Sequence, residues 1–150
     1  MIAARYVHTN LIARDWRALA AFYGAVFGCA PVPPERALSG DALARGTGVP
    51  GAALRGTHLR LPGHGPNGPT LEIFSYADPA GAPVPVANRP GFGHIAFEVP
   101  DVDAAVAAVV AAGGSPLGAV VTTPAGARTV TWAYVRDPEG NIVELQRWSE

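Results

Sequence analysis

The sequence predicts an α+β fold of two βαβββ modules, with their strands forming a curved mixed sheet around a central cleft. Two observations carry this expectation. The chain repeats itself: His8 precedes Asp15 by seven residues and Gly28 by twenty, while His94 precedes Asp101 by seven and Gly113 by nineteen. Around these markers the local character also repeats, with a β-forming run before each Asp, an apolar helical run up to each Gly, and strand-like runs after it. Residues 1–77 make the first module and 91–150 the second, joined by the proline- and glycine-rich connector 78–90 within one domain spanning 1–150.

The first module opens with a strand from Tyr6 to Ile12. Asp15 suits a helix N-cap, because its carboxylate can accept from the free N–H groups of the first turn. Trp16, Leu19, Phe22, Tyr23 and Val26 then recur at helical spacing and give one face to the core. Gly28 stops the helix, since only glycine enters the left-handed C-terminal position without cost. Strands are expected over Ala53–Leu61 and Thr70–Tyr76, joined by the turn-rich run from Pro62 to Pro69. A further strand lies unplaced within the irregular stretch from Pro31 to Gly51.

The second module repeats the plan. A strand from His94 to Val99 leads to Asp101 as N-cap, then to an alanine-rich helix ending at Gly113. Strands are expected over Leu117–Thr122, Thr129–Arg136 and Asn141–Trp148, with Asp137-Pro138-Glu139-Gly140 as a tight turn between the last two.

Composition excludes several function classes. At 150 residues, 49% hydrophobic and 15% charged, the chain has ample material for a packed interior. All eleven basic residues are arginine and the net charge is −1, which excludes Schiff-base lysine chemistry and leaves no electrostatic footprint for nucleic acid. Cys29 is the only cysteine, so it is expected as a small buried hydrophobe. The start, Met1-Ile2-Ala3-Ala4-Arg5, lacks a signal-peptide pattern, and no apolar run reaches the roughly 18 residues of a membrane span. A cytoplasmic protein with no membrane partner is the expectation.

Four chemistry-bearing residues fall at equivalent places in the modules. His8 and His94 lie in the opening strands, Glu72 and Glu144 in the closing ones. The run Thr70-Leu71-Glu72-Ile73-Phe74 parallels Ile142-Val143-Glu144-Leu145-Gln146. Each glutamate is flanked by apolar residues that point to the other side of the sheet. A carboxylate in such a row is costly unless paired or coordinated. Two imidazoles and two carboxylates related by a pseudo-twofold would surround one divalent ion, and the donor set suits Zn, Ni, Co, Mn or Fe(II). His58, without a counterpart in the other module, and His64, in a turn, are expected to be structural or solvated. Glu35, Glu98, Glu139 and Glu150 are expected as surface charges.

With Phe22-Tyr23 and Phe27-Gly28, Gly93-His94-Ile95-Ala96-Phe97, and Asp137-Pro138-Glu139-Gly140-Asn141-Ile142-Val143-Glu144, the chain resembles the vicinal-oxygen-chelate superfamily over nearly its whole length. That superfamily includes glyoxalase I, methylmalonyl-CoA epimerase, extradiol dioxygenases, and bleomycin- and fosfomycin-resistance proteins. The resemblance implies metal ligands at His8, Glu72, His94 and Glu144, a homodimer, and a small-molecule substrate held through neighbouring oxygens. It also implies enediolate chemistry in which a glutamate moves the proton, Glu144 first and Glu72 second.

Departures narrow the activity. Bacterial-type glyoxalase I has a glutathione-binding arginine four residues after the first histidine and an asparagine four after the first glutamate; here these are Ile12 and Tyr76. Epimerase-like members use a carboxylate near the third strand, and residues 42–61 contain none. The expectation is therefore a lyase, isomerase or epimerase acting on an oxygen-rich substrate without glutathione. One alternative is an antibiotic-binding resistance protein with Trp16, Trp132, Phe92 and Tyr76 lining a groove. Another is an Fe(II) extradiol dioxygenase, which Tyr134 and Glu144 fit but which lacks its histidine near Ala125, Gly126 or Ala127.

Overall fold

Leu71, Ile73, Val143 and Leu145 are fully buried, and each pair brackets a largely buried glutamate. This period-two alternation organises both halves of the chain. The computed structural model describes residues 2–81 and 83–149; Glu150, expected as a surface charge, lies outside them. The chain divides into two compact units, Met1–Gly81 and Ala82–Glu150, with the division inside the connector.

The first unit contains β1 (His8–Ile12), α1 (Trp16–Phe27), β2 (Ala30–Ser39), α2 (Asp41–Thr47), β3 (Ala53–Arg60) and β4 (Thr70–Tyr76). Its sheet has the order β1-β4-β3-β2, with β1 parallel to β4 and the remaining pairs antiparallel. The second unit contains β5 (Ile95–Glu98), α3 (Val102–Ala111), β6 (Ser115–Pro116), β7 (Val121–Ala125), β8 (Arg128–Arg136) and β9 (Ile142–Trp148). Its order is β5-β9-β8-β6, with β7 also on β8 and β5 parallel to β9. The two mixed sheets give the α+β class and βαβββ plan that the sequence predicts.

The helices begin and end for the expected reasons. Asp15 Oδ1 accepts from Arg17 N at 3.0 Å and Ala18 N at 3.1 Å, and Asp101 Oδ1 accepts from Ala104 N at 2.9 Å. Gly28 closes α1 at φ 70°, and Cys29 N–H reaches back to the Tyr23 carbonyl at 3.2 Å. Gly113 likewise follows α3 at φ 92°. Helix α1 buries Trp16, Leu19, Phe22 and Tyr23 against β3 and β4, each worth about 1.5–3 kcal/mol of apolar burial. Trp16 N–H also donates to Ser75 Oγ at 3.1 Å, pinning the start of α1 to β4. Helix α3 packs on β6, β8 and β9 through Val102 and Val109.

Three local readings change. The strand left unplaced is β2, and the same stretch also contains α2. Pairing of β2 with β3 breaks between Val32 and Arg36, where Pro33 and Pro34 have no N–H to give. Helix α2 buries none of its residues, so it has no apolar periodicity to read. The strand expected over 117–122 begins only at Val121, as β7; the short β6 precedes it on β8, and between the two Leu117 and Gly118 share the Tyr134 carbonyl.

Cys29 is 2% exposed, and burial pushes its thiol up to about 11. A native thiol held neutral is a poor nucleophile. Ellman's reagent at pH 8 should therefore titrate it only after denaturation, and stoichiometric labelling of the folded protein within seconds would contradict this burial.

Candidate metal centre

Strand register places each histidine–glutamate pair. On the first sheet Asn10 lies opposite Glu72, with His8 two residues before Asn10. On the second, Ala96 lies opposite Glu144, with His94 two residues before Ala96. Each imidazole is thus the diagonal neighbour of its glutamate across a parallel strand pair, within reach of a long side chain. His8 Nε2 lies 3.4 Å from Glu72 Oε2, and His94 Nε2 lies 2.9 Å from Glu144 Oε2. Glu72 and Glu144 are 12% and 19% exposed, so each carboxylate is largely removed from water and needs its partner.

The surroundings of the two glutamates differ. Glu72 also receives Asn10 Nδ2 on Oε2 at 3.4 Å, and His58 Nε2 lies 3.1 Å from Oε1. His58 is the direct cross-strand partner of Glu72. The direct cross-strand partner of Glu144 is Tyr134, whose ring lies 4.9 Å from that of His94. His58, expected to be structural, therefore belongs to the polar cluster. Its signal was the register: a residue on β3 opposite Glu72 must share its face. Burial lowers the His58 pKa from the usual histidine value, against the pull of Glu72, and Arg36 and His8 add to the lowering.

Among the described residues, no group of three or more His, Cys, Asp or Glu is gathered as a metal site. In the first unit Glu72 stands between two imidazoles, His8 and His58, and in the second Glu144 is paired with His94. Two donors each about 2.1 Å from one ion, at 90–109° to one another, stand roughly 3.0–3.4 Å apart. The observed separations of 2.9 and 3.4 Å fit adjacent ligands of one cation. The donor chemistry, imidazole nitrogen and carboxylate oxygen, suits a divalent metal as well.

The residues considered for an aromatic groove separate. Trp16 is 7% exposed inside the α1 packing, whereas Phe92 is 73% exposed in the segment before β5. Tyr76 shares the β4 face of Glu72. Trp132 shares the β8 face of Tyr134, its ring 5.2 Å away, and its indole N–H donates to Thr123 Oγ1 at 3.2 Å. Ile12 pairs with Phe74, also on the Glu72 face. Glu35 is a surface charge as expected, paired with Arg17 at 3.0 Å. A concavity of about 600 Å³ is lined by Glu98–Pro100 and Arg147–Ser149, none of them a member of either pair.

Fold and paired side chains together define a protein of the duplicated βαβββ class, with one imidazole–carboxylate pair per unit. The chain belongs to the Glyoxalase/Bleomycin resistance protein/Dioxygenase superfamily, whose family model matches residues 5–145. This bears out the vicinal-oxygen-chelate resemblance. Among solved structures, a glyoxalase family protein from Bacillus cereus matches with TM-score 0.82 at 16% identity, over 100% of this chain and 97% of that one. A glyoxylase/bleomycin resistance protein/dioxygenase domain from Frankia matches with TM-score 0.63 at 17% identity, over 99% and 100%. The fosfomycin resistance protein FosX of Listeria monocytogenes, complexed with Mn(II) and sulfate, matches with TM-score 0.51 at 17% identity, over 98% and 93%. At these identities the likeness is one of fold. No curated protein matches the sequence. No helix among the described residues is long and apolar enough to cross a membrane.

The turn that aims β9, and with it Glu144, is built on one carboxylate. Asp137, 3% exposed, accepts from Glu139 N at 2.9 Å, Asn141 N at 2.9 Å and Asn141 Nδ2 at 2.8 Å. Replacing it by Asn turns one acceptor oxygen into a donor facing these N–H groups. Chemical denaturation of Asp137→Asn should give a stability loss of about 1.5–3 kcal/mol, and an unchanged midpoint would contradict this role.

Proposed function

We propose that the protein is a divalent-metal-dependent enzyme of this superfamily, with His8, Glu72, His94 and Glu144 as metal ligands. It acts as a homodimer and carries out a lyase, isomerase or epimerase step on a small oxygen-rich substrate. The observation that carries this reading is the equivalence of the two pairs: the same register offset and donor separations suited to neighbouring ligands. Chance placement of a histidine diagonal to a half-buried glutamate on both sheets is a weaker account. Zn, Ni, Co, Mn or Fe(II), when bound, would supply Lewis-acid polarisation of substrate oxygens.

The chain's own residues supply proton transfer and selection. Glu144 has only His94 as a polar partner among the described residues, which suits a carboxylate that takes and returns a proton. Glu72 is the second candidate for that role. Ile12 and Tyr76 give the Glu72 face an apolar and a phenolic group where a glutathione site needs a cation and an amide, which favours a substrate other than a glutathione conjugate. A second reading, small-molecule sequestration, draws on the Trp132–Tyr134–His94 aromatic row, with ring separations of 5.2 and 4.9 Å.

Thermal unfolding of untagged protein with added Mn(II), Co(II), Ni(II), Zn(II) or Fe(II) separates the two. A ligand at a hundred times its Kd stabilises by about 2.7 kcal/mol, or roughly 5–10 °C at ~2–4 °C per kcal/mol. At least one metal should raise the Tm by this order, and the rise should vanish in His94→Ala. No bound metal after purification and no shift with any of the five would leave the sequestration reading in its place.

A further inference from the structure

We propose that His58 is a positioning residue that fixes Glu72 as an immobile carboxylate and so leaves Glu144 as the glutamate free to move. The inference rests on the metal-ligand reading above and assigns unequal roles within it.

The two closing strands are equivalent by register, yet their carboxylates are held differently. Glu72 has three polar neighbours: His58 Nε2 at 3.1 Å on Oε1, with His8 Nε2 and Asn10 Nδ2 both at 3.4 Å on Oε2. Among the described residues Glu144 has one, His94 Nε2 at 2.9 Å. At the position of Asn10 the second sheet has Ala96, which has no polar side chain. At the position of His58 it has Tyr134, whose ring lies tilted against that of His94.

Geometry gives His58 a particular task. It occupies Oε1 only, so Oε2 stays directed toward His8, the atom pair whose spacing suits a common cation. A carboxylate fixed through its other oxygen has little rotamer freedom left to lose on binding a cation. It is also poorly placed to swing out and carry a proton. His58 is itself restrained, at 20% side-chain exposure, with its ring edge-on to Phe74 at a centroid separation of 5.9 Å. In that setting Nε2 is held 3.1 Å from Glu72 Oε1, and the ring is a rigid support. Partners that orient a ligand in this way are commonly worth ten- to hundredfold in metal affinity.

Isothermal titration of the metal-free full-length protein with Co(II) provides the test. Wild type should bind, His58→Leu should bind about ten- to hundredfold more weakly, and His58→Gln, which keeps an N–H donor, should recover most of the loss. A long-range ¹H–¹⁵N spectrum of metal-free wild type should place the His58 proton on Nε2, a readout independent of how the variants fold. Wild type that binds no Co(II) overturns the metal reading itself. Wild type that binds, with an unchanged Kd in His58→Leu or with the His58 proton on Nδ1, overturns the positioning role alone.

Discussion

The structure depends on one constraint: a closing strand in each unit must bury every second side chain under a helix. Leu71 and Ile73 on β4, and Val143 and Leu145 on β9, are at 0% exposure. Because side chains alternate, that burial drives Glu72 and Glu144 onto the opposite face with no choice of register. A slip of one residue would put a carboxylate beneath α1 or α3 and expose two large apolar groups. The hydrophobic core therefore sets the position of the chemistry, and the glutamates need no specific device to aim them.

Parallel pairing of the opening strand with the closing strand supplies the second donor. A parallel neighbour reached by a helical crossover places His8 or His94 diagonal to the glutamate, and the capped helices α1 and α3 make those crossovers. From there the halves diverge. Asn10 and His58 crowd the first carboxylate, while Ala96 and Tyr134 leave the second with a lone imidazole. Equivalent strands thus hold their carboxylates differently, and the proposed division into one glutamate that holds and one that reacts rests on that difference.

Much of this was legible in the sequence. The seven-residue spacing from His to Asp and the terminal glycines gave the repeat, because caps and left-handed stops are chosen by local backbone chemistry. The buried face of α1 and the Asp137 turn followed from periodicity and turn residues in the same way. Strand β2 was not legible, since Pro33 and Pro34 break both its alternation and its pairing, and α2 was not, since nothing on it is buried. His58 was missed for a different reason. Its importance lies in register across two antiparallel strands, a non-local relation that appears only when β3 is laid beside β4. The repeat itself hid it, because the matching position holds Tyr134 and a search for matched donors passes over it.

The proposed function has one cation take an imidazole from each half of the chain. X-ray absorption at the cobalt edge of Co(II)-loaded, untagged protein counts those imidazoles directly. Two imidazoles in wild type, one in His8→Ala and one in His94→Ala, with the remaining scatterers oxygen, is the result this account predicts. An all-oxygen shell in wild type, or a count that does not change in either variant, would contradict it.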